Sequence, residues 1–95
     1  MYIILIMKYF DWSEEKNEWL IANRGISFEL CVECIIGERL LDVIENHLPY
    51  KHQKVFIIII DDYVYEVPFV EDNTKFFLKT AYPSHEATKK YLSQK

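Results

Sequence analysis

The chain has 95 residues, of which 51% are hydrophobic and 16% aromatic, with only two glycines and three prolines. This length fits a single domain, and the composition excludes a disordered or low-complexity protein. The formal net charge of −4 is not typical of a nucleic-acid-binding protein, so any such function would depend on a local cationic region.

The first six residues have two interpretations. Residues 2–6 are apolar, but Lys8 ends the stretch well short of the ~18 residues that a membrane-spanning helix needs. No small-residue cleavage site follows, so we expect neither a secretory signal nor a membrane partner, and we predict a cytoplasmic protein. Translation from Met7 would make residues 1–6 an upstream extension of a single domain over residues 1–95, and otherwise they form a first strand.

Two helices are predicted next. Asp11 or Ser13 can cap the first helix and Gly25 can end it, while Ser27 can cap the second and Gly37 can close it. The residues expected to face inward in the first helix are Trp19, Leu20 and Ala22. Those expected to face inward in the second helix are Phe28, Cys31, Val32 and Ile35.

The two cysteines have the spacing Cys-x-x-Cys, at Cys31 and Cys34. A structural zinc site would need two more ligands, and His47 and His52, separated by a proline-containing loop, are a poor match. We therefore predict no metal and no cofactor, and two reduced cysteines in the core. A redox pair is the alternative, because such motifs usually open a helix after a strand.

A meander of strands is predicted after the helices. Residues 39–45 suit either a helix or a strand, and we predict a strand, followed by a loop over residues 46–53. Residues 55–60 are β-branched or aromatic on both faces, which is typical of a central strand covered on each side. Asp61 and Asp62 then make a tight turn.

Two more strands of this meander lie at residues 63–70 and 75–80, and a turn over residues 71–74 joins them. Pro68 lacks an N–H and requires a bulge or an unpaired position. In the strand at residues 75–80, alternation places Phe76 and Leu78 on one face, and Lys75, Phe77 and Lys79 on the other. Ser84 can cap a final helix. The fold class is therefore α+β, with two helices, an antiparallel three- to four-stranded meander sheet and a C-terminal helix.

The two ends of the chain differ in charge. Residues 1–48 hold four basic and nine acidic side chains, whereas residues 75–95 hold five lysines against Glu86 alone. RNA affinity depends chiefly on the neutralisation of phosphates, so a polyanion would bind at the C-terminal end. The alternative is a solvated helix terminus, where the helix dipole favours lysine.

Two segments resemble the BrnT toxins. Residues 9–29 have the aromatic-acidic-Trp opening, the Lys-Asn helix and the Gly-Ile-Ser-Phe-Glu turn of that family, and residues 87–90 resemble its closing Ala-Thr-Lys-Lys helix. Residues 47–77 differ from the family. The resemblance implies a RelE-like fold and a metal-independent ribonuclease of a type II toxin–antitoxin system, which cleaves mRNA. It also implies an antitoxin partner that holds the toxin inactive and binds the operator DNA of their shared operon.

The family places an Arg ahead of the Ala-Thr-Lys helix, whereas this chain has His85 followed by Glu86. A histidine can act as general acid or base but cannot replace a bidentate guanidinium. We predict His85 and Lys79 as catalytic residues. The residues predicted to bind RNA through phosphate contacts or base stacking are Lys75, Lys89, Lys90 and Tyr65.

Each of these residues also has a structural interpretation. His85 can be a surface residue at the start of a helix, the strand lysines can protect a sheet edge, and Tyr65 can pack across strands. The acidic net charge and the missing Arg favour an alternative function. In that alternative, the same fold serves as a non-catalytic protein-binding module that acts with an antitoxin in operon regulation.

Overall fold

The computed structural model describes residues 8–45 and 53–93, so the predicted N-terminal extension and the loop with His47 and His52 lie outside the described residues. Within these two ranges the chain forms six strands and three helices. The elements in chain order are β1 (Tyr9–Asp11), α1 (Glu14–Arg24), α2 (Phe28–Ile36), β2 (Leu40–Glu45), β3 (Lys54–Ile60), β4 (Tyr63–Glu71), β5 (Lys75–Leu78), β6 (Tyr82–Pro83) and α3 (His85–Leu92). None of the helices in these ranges is long and apolar enough to cross a membrane.

The sheet has the strand order β1-β5-β4-β3-β2, with β6 paired to β4. The strands β2 to β5 form an antiparallel meander, which confirms the predicted α+β class and the strand at residues 39–45. The parallel pairing of β1 with β5 and the short β6 were not predicted. The strand predicted at residues 75–80 is shorter than expected, since β5 ends at Leu78.

The central strand β3 is covered on both faces, as its sequence predicts. Phe56 and Ile58 join the larger core beneath α1 and α2, whereas Val55 and Ile57 join a smaller core beneath α3. All four side chains are at most 2% exposed. The sheet therefore lies between the two N-terminal helices and the C-terminal helix, and each face contributes its own apolar cluster.

Pro68 fits into β4 without a bulge. The register between β3 and β4 is continuous, and Pro68 lies opposite Val55. Its carbonyl accepts the N–H of Lys79 at 2.8 Å, and the N–H and C=O of one residue in an antiparallel strand point to the same side. The missing N–H therefore faces the interval between Leu78, where β5 ends, and Tyr82, where β6 begins, so an unpaired position accommodates the proline.

The helix α1 begins at the predicted cap Ser13, whose Oγ accepts the N–H of Lys16, and ends at Gly25 with φ 69°. The predicted inward face is wrong for Trp19, which is 42% exposed, and for Ala22, which is also exposed. The helix buries Asn17 and Leu20 instead. Trp19 lies on the solvent side, where Lys16 Nζ and Arg24 Cζ lie 4.2 and 4.8 Å from its ring centroid, an arrangement that cation–π attraction stabilises.

The helix α2 begins at the predicted cap Ser27 and buries Phe28, Cys31 and Ile35, as predicted. Cys34 is also buried, and Val32 is half-buried. The Gly37 N–H donates to the carbonyl of Glu33 at 3.1 Å, and a Cβ on Gly37 would lie only 2.8 Å from that oxygen. Gly37 is therefore required because the chain approaches its own helix closely here.

A buried amide joins α1 to the start of α2. Asn17 is 4% exposed, and its Oδ1 accepts the N–H of Phe28 at 2.7 Å while its Nδ2 donates to Glu29 Oε1 at 2.9 Å. The Phe28 N–H is one of the helix-start donors that have no partner within the helix. Asn17 thus satisfies a buried backbone group and fixes the position of the two helices relative to each other.

Asn17→Ala should lower the free energy of unfolding by about 1–3 kcal/mol, because it leaves the buried Phe28 N–H without an acceptor. Urea denaturation measures this change. Asn23→Ala is the matched control on the same helix, since Asn23 is exposed and donates only to the carbonyl of Trp19. Equal losses in the two variants would contradict this role for Asn17.

The turn between β3 and β4 is strained at two positions. Asp61 has φ 52° and Asp62 has φ 64°, which is the left-handed conformation at both central residues of a tight hairpin. Such turns favour glycine at the second position, because a side chain there has a steric cost. The prediction of a tight turn at this pair is confirmed.

Asp62→Gly should raise the free energy of unfolding by about 0.5–1 kcal/mol by relieving this strain. Asp72→Gly is the control and should lower the free energy of unfolding, because Asp72 Oδ1 accepts the N–H groups of Thr74 and Lys75 at 2.8 and 3.0 Å. Thermal denaturation of both variants tests the pair. A destabilised Asp62→Gly protein would show that the left-handed backbone is not a source of strain.

Candidate functional site

One face of the sheet carries an aromatic ring between two lysines. Lys75, Phe77 and Lys79, here called the cationic strip, lie on the face that α3 covers in part. The Nζ atoms of Lys75 and Lys79 lie 5.7 and 5.5 Å from the centroid of the half-buried Phe77 ring. Both ammonium groups thus lie over the Phe77 ring, an arrangement that cation–π attraction stabilises and that concentrates positive charge on this part of the sheet face.

The two lysines of the cationic strip are not equivalent. Lys75 Nζ lies 3.3 Å from Asp11 Oδ2, and this hydrogen bond is the main reason why the pKa of Lys75 is raised. Lys79 is exposed and forms no ion pair within the part of the chain that the structure describes. Lys79 is therefore the strip residue whose charge is available to a ligand.

An open groove of about 210 Å³ lies beside α3 on the same sheet face. The residues that line this α3 groove are Ile44, Ile57, Glu66, Glu86, Ala87, Lys90 and Tyr91. Glu66 Oε1 accepts a hydrogen bond of 3.1 Å from the Tyr82 hydroxyl, and Tyr91 donates one of 2.8 Å to Asp42. The groove therefore combines an apolar floor with carboxylate and phenol groups.

The two phenols of this region are held in their neutral form. Burial raises the pKa of Tyr82, and the charge of Glu66 and its hydrogen bond raise it further, while Arg24 acts in the opposite direction. Burial and the hydrogen bond to Asp42 raise the pKa of Tyr91 to about 12. Both hydroxyls are therefore hydrogen-bond donors at neutral pH.

The register of the sheet places the cationic strip next to the α3 groove. Glu66 and Pro68 are successive residues on this face of β4, since side chains alternate along a strand. Glu66 lies opposite Tyr82, and the carbonyl of Pro68 accepts the N–H of Lys79. Lys79 and the Glu66–Tyr82 pair thus occupy neighbouring rows, and a ligand that covers one can reach the other.

The predicted site residues fall into separate groups. Lys75, Lys79 and Lys90 share the face that α3 covers, with Lys90 Nζ 5.3 Å from the Tyr91 ring centroid. His85 begins α3 and is exposed, and among the described residues it forms no hydrogen bond or ion pair, including with Lys79. Lys89 is also exposed on α3.

Tyr65 lies apart from the other predicted RNA-binding residues. It packs against the core beneath α1 and α2, and its ring centroid is 6.3 Å from that of Tyr63. Its partner in β3 is Ile58, which belongs to the same core. The structure therefore places Tyr65 on the opposite face of the sheet from the cationic strip.

Glu66 and Tyr82 were not among the residues that the sequence singled out. The available signal was that Glu66 is the one charged residue at the alternate positions 64, 66, 68 and 70 of an otherwise apolar strand face. A charge at such a position requires a partner or access to solvent. Tyr82 could not be identified as that partner, because the pairing of β6 with β4 was not predicted.

The cysteines are buried and free, as predicted. Cys34 Sγ donates weakly to the carbonyl of Ile59 at 3.8 Å, and burial followed by the charge of Cys34 raises the pKa of the Cys31 thiol to about 12. A redox-active cysteine needs an accessible thiolate, so these thiols are placed for packing instead. Within residues 8–45 and 53–93, no three His, Cys, Asp or Glu side chains are grouped to hold a metal ion.

Comparison of the chain with protein-family models, with curated proteins and with solved structures finds no match. The likeness to BrnT toxins therefore depends on residues 9–29 and 87–90 alone.

The raised pKa of Cys31 predicts a specific sensitivity to alkali. The thiol ionises near its ordinary pKa of 9.0 in the unfolded chain but only near 12 in the folded protein. The neutral thiol therefore favours the folded state, and this contribution is complete below pH 9 and is lost as the pH rises toward 12, with a loss of about 1 kcal/mol at pH 10.

Cys31→Ala should accordingly flatten the fall in stability between pH 8 and pH 10, which urea denaturation at several pH values measures. The double change Cys31→Ser with Cys34→Ser should leave metal content and activity as in the wild type, although it will lower stability. Stoichiometric zinc in the wild type that disappears in the double variant would contradict the packing role.

Proposed function

We propose that this chain is a toxin-like, metal-independent endoribonuclease of a type II toxin–antitoxin pair, which cleaves mRNA in the cytoplasm and is held inactive by an antitoxin. The main support for this proposal is the cationic strip. Lys79 offers an uncompensated charge beside a half-exposed aromatic ring, and Lys90 lies on the same face. Phosphate neutralisation and base stacking are the two main sources of affinity for single-stranded RNA.

Cleavage of RNA without a metal requires three contributions from the protein. A base takes the proton of the ribose 2′-hydroxyl, whose oxygen attacks the phosphorus. Cations stabilise the charge that develops on the phosphate oxygens, and an acid donates a proton to the departing 5′-oxygen. In the proposed site Lys79 stabilises the phosphate, and His85 and Glu66 are the groups that can transfer protons.

In the proposed mechanism His85 and Glu66 act from two different elements, α3 and β4. The Ser84 N–H, immediately before His85, donates to the carbonyl of Val64 at 2.9 Å, so the start of α3 is fixed to β4. Glu66 is two residues further along β4 on the same face, and its carboxylate is oriented by the Tyr82 hydroxyl. In the proposed reaction the Glu66 carboxylate is the proton acceptor and the His85 imidazole is the proton donor.

The protein-binding module remains the second candidate function. Two observations favour it, namely the pairing of Lys75 with Asp11 and the presence of Glu66 and Glu86 within the α3 groove. Both lower the positive charge of the face that would bind RNA. In that case the same surface would contact the antitoxin, and the chain would act in operon regulation without cutting RNA.

Incubation of purified protein with RNA in EDTA separates these functions. Cleavage in EDTA supports the ribonuclease, cleavage that EDTA abolishes contradicts the metal-independent mechanism, and no cleavage at micromolar protein favours the binding module. The genomic neighbourhood is an independent criterion, because an adjacent small gene for a DNA-binding antitoxin supports the toxin.

His85→Ala should lower the cleavage rate by ~10² or more without affecting the fold, since a positioned proton-transfer group contributes about this factor. Lys79→Ala should reduce both rate and affinity, and the slope of log affinity against log salt should fall by about 0.7 for one lost phosphate contact. Lys16→Ala is the matched control, because Lys16 lies against Trp19 on α1. If His85→Ala and Lys79→Ala both cleave like the wild type, the site assignment is wrong.

A further inference from the structure

The α3 groove differs in charge from the cationic strip beside it. Its floor is formed by the side chains of Ile44, Ile57 and Ala87, while Glu66 on β4 and Glu86 on α3 place carboxylates at its border. Tyr91 contributes an aromatic wall. An RNA phosphate is repelled by such a border, so the groove does not simply extend the surface for RNA.

The two carboxylates of the groove are not compensated. Glu66 Oε1 accepts the Tyr82 hydroxyl, but within the described residues neither Glu66 nor Glu86 forms an ion pair. Lys90 also lines the groove, but its ammonium group lies over the Tyr91 ring. The acidic Asp42 nearby is already occupied, because it accepts hydrogen bonds from Tyr91 and from the Val43 N–H. The lining thus carries two carboxylates against the single ammonium group of Lys90, a net charge of −1 that favours a cation from outside.

We propose that the α3 groove receives an arginine side chain from the protein partner, which in the proposed function is the antitoxin. The apolar stem of the arginine lies on Ile44, Ile57 and Ala87, and the guanidinium lies between Glu66 and Glu86. A groove of about 210 Å³ has room for one long side chain. Charge complementarity with the acidic border determines the sign of the occupant, and the apolar floor determines that it has a hydrocarbon stem.

Arginine fits this groove better than lysine. A guanidinium can donate to two carboxylates at once in a planar arrangement and can stack on an aromatic face, whereas an ammonium is a strongly hydrated point charge. Here the Glu66 and Glu86 carboxylates supply the acceptors, and an arginine that stacks on Tyr91 takes the place of the Lys90 ammonium group over that ring.

Occupation of the groove would have a regulatory consequence. An arginine that pairs with Glu66 removes the carboxylate that the proposed reaction uses as a proton acceptor. The register that makes Glu66 and Lys79 neighbours also brings the partner chain against the cationic strip. A single inserted side chain thus competes with RNA for the face without itself resembling RNA.

The test uses blocked amino acids as probes and NMR as the readout. Nα-acetyl-arginine methylamide is titrated into the full-length protein without RNA, with Nα-acetyl-citrulline methylamide as a neutral isostere and the lysine analogue as a third probe. The arginine probe should shift the backbone amides of Ile57, Glu66 and Ala87, the lysine probe should bind more weakly, and the citrulline probe should leave these amides unchanged.

The variants distinguish groove binding from general attraction to an acidic protein. Glu66→Gln with Glu86→Gln should weaken binding of the arginine probe by about 3- to 10-fold, since each solvent-accessible charge pair contributes modestly. Glu18→Gln with Glu33→Gln removes two exposed glutamates of α1 and α2 and should leave the affinity unchanged. Equal loss in both double variants, or equal shifts with arginine and citrulline, would overturn the proposal.

This experiment and the cleavage assay fail independently. Arginine binding at the groove without RNA cleavage would contradict the ribonuclease and leave the docking site intact. RNA cleavage with no arginine-dependent shift at the groove would contradict the docking site and leave the ribonuclease intact. Because Glu86 is exposed on α3, Glu86→Gln alone should fold normally, so a weakened response in that variant cannot be attributed to unfolding.

Discussion

The hydrogen bonds of Asn17 hold together the part of the fold on which the rest is assembled. This buried amide accepts the first N–H of α2 and donates to Glu29, and Trp12 stacks on Phe28 with ring centroids 5.6 Å apart. Phe28 in turn belongs to the core beneath α1 and α2. Since the two helices cover much of one face of the sheet, their relative position affects which strand residues of that face are buried.

The C-terminal helix is attached by an equally specific interaction. The Thr88 hydroxyl donates to the carbonyl of Ser84 at 2.7 Å and accepts the N–H of Val64 at 2.9 Å. It thus replaces a strand partner near the start of β4, while the small Ala87 lets the helix pack closely on the sheet. The segments that resemble BrnT toxins therefore include residues of both attachments of the scaffold.

The sequence predicted those features that depend on local chemistry. Ser13, Ser27 and Ser84 cap their helices because each hydroxyl reaches an N–H three residues ahead. β3 was recognisable because both of its faces are apolar. Trp19 was assigned to the wrong side of α1, since helical periodicity cannot tell a buried tryptophan from one that solvent-side cations cover. The pairs β1–β5 and β4–β6 join residues far apart in the chain, and a two-residue strand such as β6 has too little sequence to reveal its partner.

Because pairings between distant segments could not be predicted, the sequence identified only part of the candidate site. Lys75 and Lys79 could be placed on one face from alternation alone, because they lie on a single short segment. The relation between Lys79 and Glu66 depends on the register of β4 with β5 and β6, which only the folded chain defines. Such a register places a cation and a carboxylate in adjacent rows, and in the proposed function this arrangement serves a surface that binds RNA and exchanges it for a basic protein. An all-cationic face would favour RNA alone, whereas the mixed face allows two ligands of opposite charge to exclude each other.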